Sequence, residues 1–186
     1  MKNYLLTVSL LFISLAFAQS DKNVEAQQFK INFINPGVEY ELGIAKNQTI
    51  ALGLGLQFSA VAASDDFYYA FLPAINAQYR YFYNMDRRVS KDKSILGNSG
   101  NYLAASATMF TADVIIGNID SGSGTAGFVG PVYGIQRTYR KGFNFNIEFG
   151  VGLYFASDAD FQSVDTGFGP TLSFSLGWVL GKNKNR

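Results

Sequence analysis

The stretch FNFNIEFGVGLYF, residues 143–155, decides the fold. Its odd-numbered residues are all large and apolar: Phe143, Phe145, Ile147, Phe149, Val151, Leu153 and Phe155. Its even-numbered residues are mostly small or polar: Asn144, Asn146, Glu148, Gly150, Gly152 and Tyr154. A period of two predicts a β-strand whose two faces meet different environments.

The residues on the second face indicate what those environments are. Residues 49–60 and 168–180 repeat the alternation, and their small-residue faces consist of Gly, Ala, Ser, Thr and Gln. A strand that faces water would carry Lys, Asp and Glu, whereas these residues suit a narrow, tightly filled lumen. The bulky face is continuous and aromatic, which suits lipid. The pattern therefore predicts an all-β, up-and-down antiparallel transmembrane β-barrel with its apolar side chains outward.

The N-terminus indicates export. Lys2 precedes an apolar run over residues 5–17, and Ala16 and Ala18 form a small-x-small cleavage site before Gln19. We interpret residues 1–18 as a secretory signal peptide, since the run is shorter than the about 20 residues of a spanning helix. An uncleaved N-terminal anchor is the alternative. The predicted compartment is the outer membrane of a Gram-negative bacterium, with a periplasmic lead-in at 19–27, a barrel at 28–181 and a polar tail at 182–186.

The number of strands depends on Pro36 and Gly37. Removing 18 residues from 186 leaves 168, enough for eight strands of about 9–11 residues each. Seven strands result if residues 29–45 form one bent strand, and eight if Pro36 and Gly37 make a hairpin. We favour eight, because closed bacterial barrels have even numbers and both termini in the periplasm.

Connection lengths then predict the orientation. Short turns at 46–48 and 140–142 belong on the periplasmic side, and loops at 64–68, 117–127 and 157–167 face outward. The long basic segment 86–101 is predicted to be a mobile connection on the periplasmic side. The alternation does not choose a face for residues 102–115, and Pro131 predicts a bulge in its strand.

The composition excludes several classes of function. The chain has no His and no Cys, so catalysis through imidazole or thiolate, the corresponding metal sites and disulfides are excluded. The formal net charge of +1 gives no nucleic-acid footprint. We therefore expect no enzyme activity, no cofactor and no bound metal.

Four charged residues fall on inward faces and form the one candidate site. The alternation and the distances to the chain connections place Glu39, Glu41, Arg80 and Glu148 in one layer, about 10–18 Å inside one end of the barrel. We interpret them as a structural plug in which Arg80 neutralises buried carboxylates. A gate or a proton site is the alternative. Lys30 or protonation of one carboxyl would complete the charge balance.

Aromatic residues are predicted to anchor the barrel at the membrane interfaces. The lipid-facing anchors are Tyr79, Tyr81, Tyr83 and Trp178, with Tyr102 as a further member of the girdle. A glycan-contacting surface is the alternative. Arg137 is predicted on the lipid face near a strand end, from which it reaches the headgroups.

Two motifs carry a resemblance to a known family. Pro36 followed by VEYEL at 38–42, and AQYRYF at 77–82, resemble segments of small outer-membrane β-barrel proteins common in Bacteroidetes. The architecture is similar to the OmpA transmembrane domain and to the OmpW-like class. The resemblance implies a monomer in contact with outer-membrane lipid and lipopolysaccharide, inserted by the barrel-assembly machinery. No C-terminal peptidoglycan-binding domain is expected, and residues 178–180 are predicted to serve as the assembly signal in place of a terminal aromatic.

Three functions follow from these predictions. The first is a structural or surface-interaction role for a barrel with a plugged lumen. The second is a porin-like channel or transporter for small or hydrophobic solutes. The third is a soluble periplasmic barrel that binds a lipid, which would require the apolar faces to point inward.

Overall fold

A computed structural model of the protein describes residues 22–63, 66–118, 124–158 and 163–180. The signal peptide and the polar tail predicted from the sequence lie outside these residues. The strands are β1 Gln27–Ile34, β2 Gly37–Ala45, β3 Gln48–Ala63, β4 Asp66–Tyr81, β5 Gly100–Thr111, β6 Ile116–Gly117, β7 Thr125–Thr138, β8 Phe143–Ser157 and β9 Val164–Leu180. The helix α1 spans Met85–Val89, and 3₁₀ turns span Leu96–Asn98 and Arg140–Gly142.

The strands form one antiparallel sheet that closes on itself. Each long strand pairs with the next along the chain, and β1 pairs with β9, where Phe29 lies opposite Leu180. Of the nine strands, eight form the ring, and β6 only extends the sheet beside the outer part of β4. The prediction of an all-β, up-and-down antiparallel barrel is confirmed.

A tight turn at Asn35 and Pro36 separates β1 from β2. Asn32 pairs with Gly37 across this turn, so the segment 29–45 is a hairpin and the ring has eight strands. Asn35 has a φ of 50°, a left-handed conformation that Asn tolerates better than most residues. Its Nδ2 atom donates to the carbonyl oxygen of Phe174 at 2.8 Å, which fastens the turn to β9.

The two faces of the strands point as the alternation predicts. On β8, Asn146 and Glu148 are buried inside the ring while Phe149 is exposed outside, and on β9 Leu172 is 72 % exposed. The structure also chooses a face for β5, since Tyr102 and Ser106 point inward and Leu103 points outward. The barrel therefore has a polar interior and an apolar exterior.

The predicted bulge at Pro131 is wrong. Ala105 lies opposite Pro131 on β5, in the same register as the rest of that strand pair, and the pairing of β7 with β8 keeps one register on both sides of Pro131.

One end of the barrel is closed by a cap, which we define as residues 22–26 and 82–99. Val24, Phe82 and Met85 are buried together there against Tyr102. The backbone nitrogen of Glu25 donates to Asn98 Oδ1 at 2.7 Å, and Gln136 Nε2 donates to the carbonyl oxygen of Gly97 at 3.0 Å. The first contact joins the two cap segments to each other, and the second ties the segment 82–99 to the lumen wall.

The cap differs from the sequence prediction. Residues 86–101 were predicted to be a mobile connection, but they contain α1 and a 3₁₀ turn, and Asn98 and Ser99 are fully buried. Their backbone polar groups are paired within the cap and with β7. Ser99 N donates to the carbonyl oxygen of Leu96 at 3.0 Å, and the carbonyl oxygen of Gly97 accepts from Gln136 Nε2 on β7. Among the described residues, no helix combines the length and the apolar character that crossing a membrane requires.

Candidate lumen site

Five charged side chains meet inside the barrel next to the cap. This lumen charge cluster consists of Lys30 on β1, Glu39 and Glu41 on β2, Arg80 on β4 and Glu148 on β8. The structure thus brings together the four residues that the alternation placed in one layer. It also places Lys30 beside them, opposite Glu39 in the β1–β2 register.

Arg80 lies at the centre of the cluster. Its Nη1 and Nη2 atoms each lie 2.9 Å from a carboxylate oxygen of Glu39, and its Nε donates to Gln78 Oε1 at 2.6 Å. Further ion pairs reach Glu41 at 3.5 Å and Glu148 at 3.6 Å. The guanidinium also lies 5.1 Å from the ring centroid of Tyr102, a distance suited to a cation–π contact. Every side of this fully buried cation is therefore satisfied.

Lys30 neutralises the part of the cluster nearest the cap. Its Nζ donates to Glu39 at 2.6 Å, to Glu41 at 2.7 Å and to Gln136 Oε1 at 2.8 Å, which uses all three ammonium protons. Glu41 also accepts from Thr49 Oγ1 at 2.7 Å and from Gln28. The deepest carboxylate, Glu41, is thus held by donors from β1 and β3, and one of them, Lys30, also reaches across the lumen to Gln136 on β7.

Tyr102 belongs to this site, although the sequence analysis predicts it on the outside of the barrel. It was predicted in the lipid girdle, but its side chain is fully buried in the lumen, where its hydroxyl donates to Glu148 Oε1. Its neighbours on β5 are mainly alanines, so the alternation gave no direction. The signal lies on β7, because Gly134 is opposite Tyr102 and any Cβ there would overlap the tyrosine ring.

The remaining partners of Glu148 are amides. Asn146 Nδ2 donates to its Oε1 at 2.9 Å, and Gln78 Nε2 donates to its Oε2 at 2.9 Å. Gln78 therefore links Glu148 to Arg80, since its own carbonyl oxygen accepts from Arg80 Nε. Such a connected network fixes each side chain, because every buried polar group depends on its neighbours.

The lumen is filled only from the cap to the charge cluster. Beyond the cluster, toward the turn at Asn35, lies a cavity of about 330 Å³ that opens at the uncapped end. We call it the cup. Its floor includes Glu39, Arg80 and Glu148, and its walls are lined by residues of β1–β5 and β7–β9. A tightly filled lumen was predicted, and the structure departs from this because inward positions beside and above the cluster carry small residues such as Gly53, Ser106 and Thr108.

The predicted anchors lie on the outside of the barrel. Tyr79, Tyr81, Tyr83 and Trp178 are all exposed and lie toward the capped end. The Tyr83 and Tyr133 hydroxyls lie 3.1 Å apart, and the ring of Trp178 contacts Phe33 and Phe143 with centroid distances of 5.4 Å and 5.8 Å.

Arg137 also points outward, near the capped end. It is half-buried because its Nη1 donates to the carbonyl oxygen of Gly100 and its Nη2 to Asn101 Oδ1, both at 2.7 Å. The guanidinium is thus bound to the neighbouring strand β5.

These features define a closed β-barrel with a polar, partly hollow lumen and a cap at one end. Within the described part of the chain, no group of three or more acidic side chains is arranged to hold a metal ion. No protein-family model, no curated protein and no solved structure matches the chain.

Proposed function

We propose that the protein is an outer-membrane β-barrel with a structural or surface-interaction role and a lumen blocked by its charge cluster and cap. The observation that carries this proposal is the exterior of the ring. Apolar side chains on every long strand are exposed there, and in the described strand bodies Arg137 is the single outward-facing charge. Such a continuous apolar surface is far larger than soluble monomers expose.

The height of this surface fits a bilayer. On β8 the outward residues run from Phe143 to Phe155, which is twelve steps along the strand. At about 3.3 Å per step and a tilt of about 45°, they cover about 28 Å, close to the hydrocarbon thickness of a membrane. Exposed tyrosines and Trp178 lie near the capped rim, where interfacial aromatics occur.

The interior supports the same proposal. A soluble barrel that binds a lipid needs an apolar lumen and a charged exterior. Here the lumen holds Lys30, Glu41 and Arg80, all fully or almost fully buried, and the greasy side chains lie outside. The orientation of the strands therefore argues against the lipid-binding alternative.

The first and last strands orient the barrel in this proposal. The start of β1 and the end of β9 both lie at the capped end, together with the short turns between β2 and β3 and between β7 and β8. Connection length alone gives no side, because the long segment 82–99 also lies at this end and the tight turn at Asn35 and Pro36 lies at the other. Bacterial outer-membrane barrels keep both chain ends in the periplasm. The cap then faces the periplasm and the cup opens to the outside.

Fractionation followed by gel electrophoresis without heating tests the proposal. Membrane barrels stay folded in SDS until boiled, so we expect the protein in the outer-membrane fraction, with a mobility that shifts on heating. Recovery of the folded protein in the soluble fraction without detergent would overturn the proposal.

A channel is the second candidate, because the cup already occupies part of the lumen. Our proposal predicts no discrete conductance in planar bilayers, since the cluster and the cap block the path. Single-channel steps from the wild-type barrel, altered by Arg80→Ala, would favour the channel instead.

A further inference from the structure

We propose that the cup is a binding site for a small organic ammonium ion. The inference goes beyond the structural role proposed above, and it depends on the barrel fold alone. It would hold whether the exterior of the barrel meets lipid or detergent. The argument rests on the size of the cup, the charge of its floor and the chemistry of its walls.

The size of the cup suits a small molecule. Its volume of about 330 Å³ lies at the lower end of the range of ligand pockets, about 300–1,000 Å³. It is open at one end only, because the charge cluster and the cap fill the lumen below it. A ligand would therefore enter from the uncapped end and rest on the floor.

The floor presents carboxylates to the cup. The side chains of Glu39 and Glu148 are 16 % and 10 % exposed, whereas those of Arg80 and Lys30 are only 1 % and 3 % exposed. The cations thus lie beneath or between the acids. With its acidic and basic groups ionised, the cluster has three negative and two positive charges, a net charge of −1. A cation at the floor would complete the balance in a site where water screens poorly.

One side of the wall is aromatic. Phe128 on β7 and Tyr154 on β8 line the cup, with ring centroids 5.1 Å apart. Both side chains lie on strands that neighbour or include the strand of Glu148. In the strand register the two rings lie opposite each other, six residues along β8 from Glu148, so they stand nearer the mouth of the cup than its floor. Ring faces attract cations, and these rings would favour the entry of an ammonium ion.

Another side of the wall offers hydroxyl groups. Thr171, Ser173 and Ser175 line the cup at alternate positions of β9, and Ser173 lies opposite Glu148 in the strand register. Their hydroxyls make no hydrogen bond to another of the described residues, so they are available to polar groups of a ligand. The ligand class that fits best is an ammonium compound with a hydroxyl group.

Binding measurements on the purified barrel in detergent micelles test the inference. Calorimetry would use choline, ethanolamine and 3,3-dimethyl-1-butanol, a neutral molecule with the shape of choline. We expect at least one ammonium probe to bind, and we expect the neutral analogue to bind about tenfold more weakly than choline or not at all.

Two variants locate the site. Glu148→Gln removes a floor charge and should weaken binding about tenfold. Gly53→Leu fills the cup, because a Cβ at Gly53 would meet only ordinary contacts, the nearest being Asn76 Cβ at 3.6 Å. It keeps every residue of the charge cluster, although Gly53 lies opposite Glu39 in the strand register, and it should abolish binding. The outward-facing variant Leu52→Ala on the same strand is the control, and all variants are first checked for a heat-dependent gel shift.

Several results would overturn the inference. These are the absence of binding by both ammonium probes, equal binding of choline and its neutral analogue, and unchanged binding in folded Gly53→Leu. Binding of D-glucose in place of the ammonium probes would likewise overturn it, in favour of a site for neutral polyols.

Discussion

Arg80 on β4 binds Glu39 on β2 through both of its terminal nitrogens, each of which lies 2.9 Å from a different carboxylate oxygen. The pair spans the intervening strand β3 inside the lumen. A guanidinium and a carboxylate match each other in this parallel geometry, and charge-assisted bonds of this kind are the strong ones. Because Arg80 also contacts Glu41 and Glu148, its loss affects three acids at once.

Replacing Arg80 should therefore be costly. We expect Arg80→Met to lower the free energy of unfolding by about 3–5 kcal/mol, because it leaves buried carboxylates without their partner. Arg80→Lys should cost less, since it keeps the charge but loses the two-pronged geometry. Urea titration of the folded band on unheated gels measures both. Equal stability of Arg80→Met and the wild type would contradict a structural role for the cluster.

Lys30 and Glu41 should behave as a coupled pair, since Lys30 Nζ lies 2.7 Å from Glu41. We expect Lys30→Met alone to destabilise the barrel strongly, because the partners left to Glu41 are the neutral Gln28 and Thr49 and, each at 3.5 Å, Gln136 and Arg80. Adding Glu41→Gln removes the stranded charge and should recover part of the loss. A double-mutant cycle should give a coupling energy of about 0.5–3 kcal/mol. Simple additivity of the two single variants would argue against direct pairing.

Gly134 should resist substitution, because its missing side chain makes room for the Tyr102 ring. We expect Gly134→Val to displace Tyr102 and to cost about 1–3 kcal/mol from overpacking. Gly53→Ala is the matched control, because Gly53 faces open lumen. Thermal gel-shift curves compare the two variants. If both variants lower the transition temperature equally, the contact between Tyr102 and Gly134 is not the cause of the loss of stability in Gly134→Val.

A charge in the middle of the apolar exterior should impair membrane insertion. Leu172→Arg places a cation at a highly exposed position on β9 and should cost about 2–4 kcal/mol of folding free energy in a bilayer. Thr166→Arg, near the end of the same strand, should cost much less. Folding yields into lipid vesicles give the comparison. If the exterior of the barrel faces water, the two substitutions should change the folding free energy by the same small amount.

The cap should loosen in acid through Asp86. This carboxylate accepts hydrogen bonds from Lys46 and Asn47 at 2.8 Å and from Asn23 at 3.0 Å, and these bonds lower the pKa of Asp86 below its ordinary value of 3.8. Because the pKa is lower in the folded state, the stabilisation is complete above the unfolded pKa and is lost as the pH falls through the folded value.

Hydrogen exchange of the cap amides in the wild type and in Asp86→Asn measures this effect. The wild type should be better protected near neutral pH, and the difference should shrink below about pH 4. The effect should be small, since the Asp86 side chain is 57 % exposed and water screens its contacts. If the difference in protection stays constant down to low pH, the stabilisation of the cap depends on the shape of the Asp86 side chain and not on its charge.

The barrel itself could be predicted from the sequence because its faces are chemically distinct. On β8 and β9, aromatic and aliphatic residues alternate with Gly, Ser and Asn, so both the strand and its direction follow from period two. Where the contrast fails, as in the alanine-rich β5, the direction cannot be read. The prediction for Tyr102 was wrong for this reason. For Arg80 and the three glutamates, by contrast, counting residues from the turns predicted that they lie in one layer of the lumen.

The cap and the cup were missed for different physical reasons. Residues 82–99 have no regular apolar period, and their burial depends on a few single contacts, such as Met85 and Phe82 against Tyr102. The cup depends on the volumes of side chains contributed by different strands. Alternation shows that a residue points inward but does not show how much of the lumen it fills.

The pairing of β1 with β9 has a consequence for biogenesis. Phe29 can pair with Leu180 only after all the strands between them have been synthesised. Until then, the incomplete sheet has two unpaired edge strands. Such edges invite pairing with neighbouring molecules, and contacts so distant in sequence form slowly. The unfolded polypeptide must therefore be kept from aggregating until β9 has been synthesised. A chain truncated before β9 should aggregate and should not close into a smaller barrel.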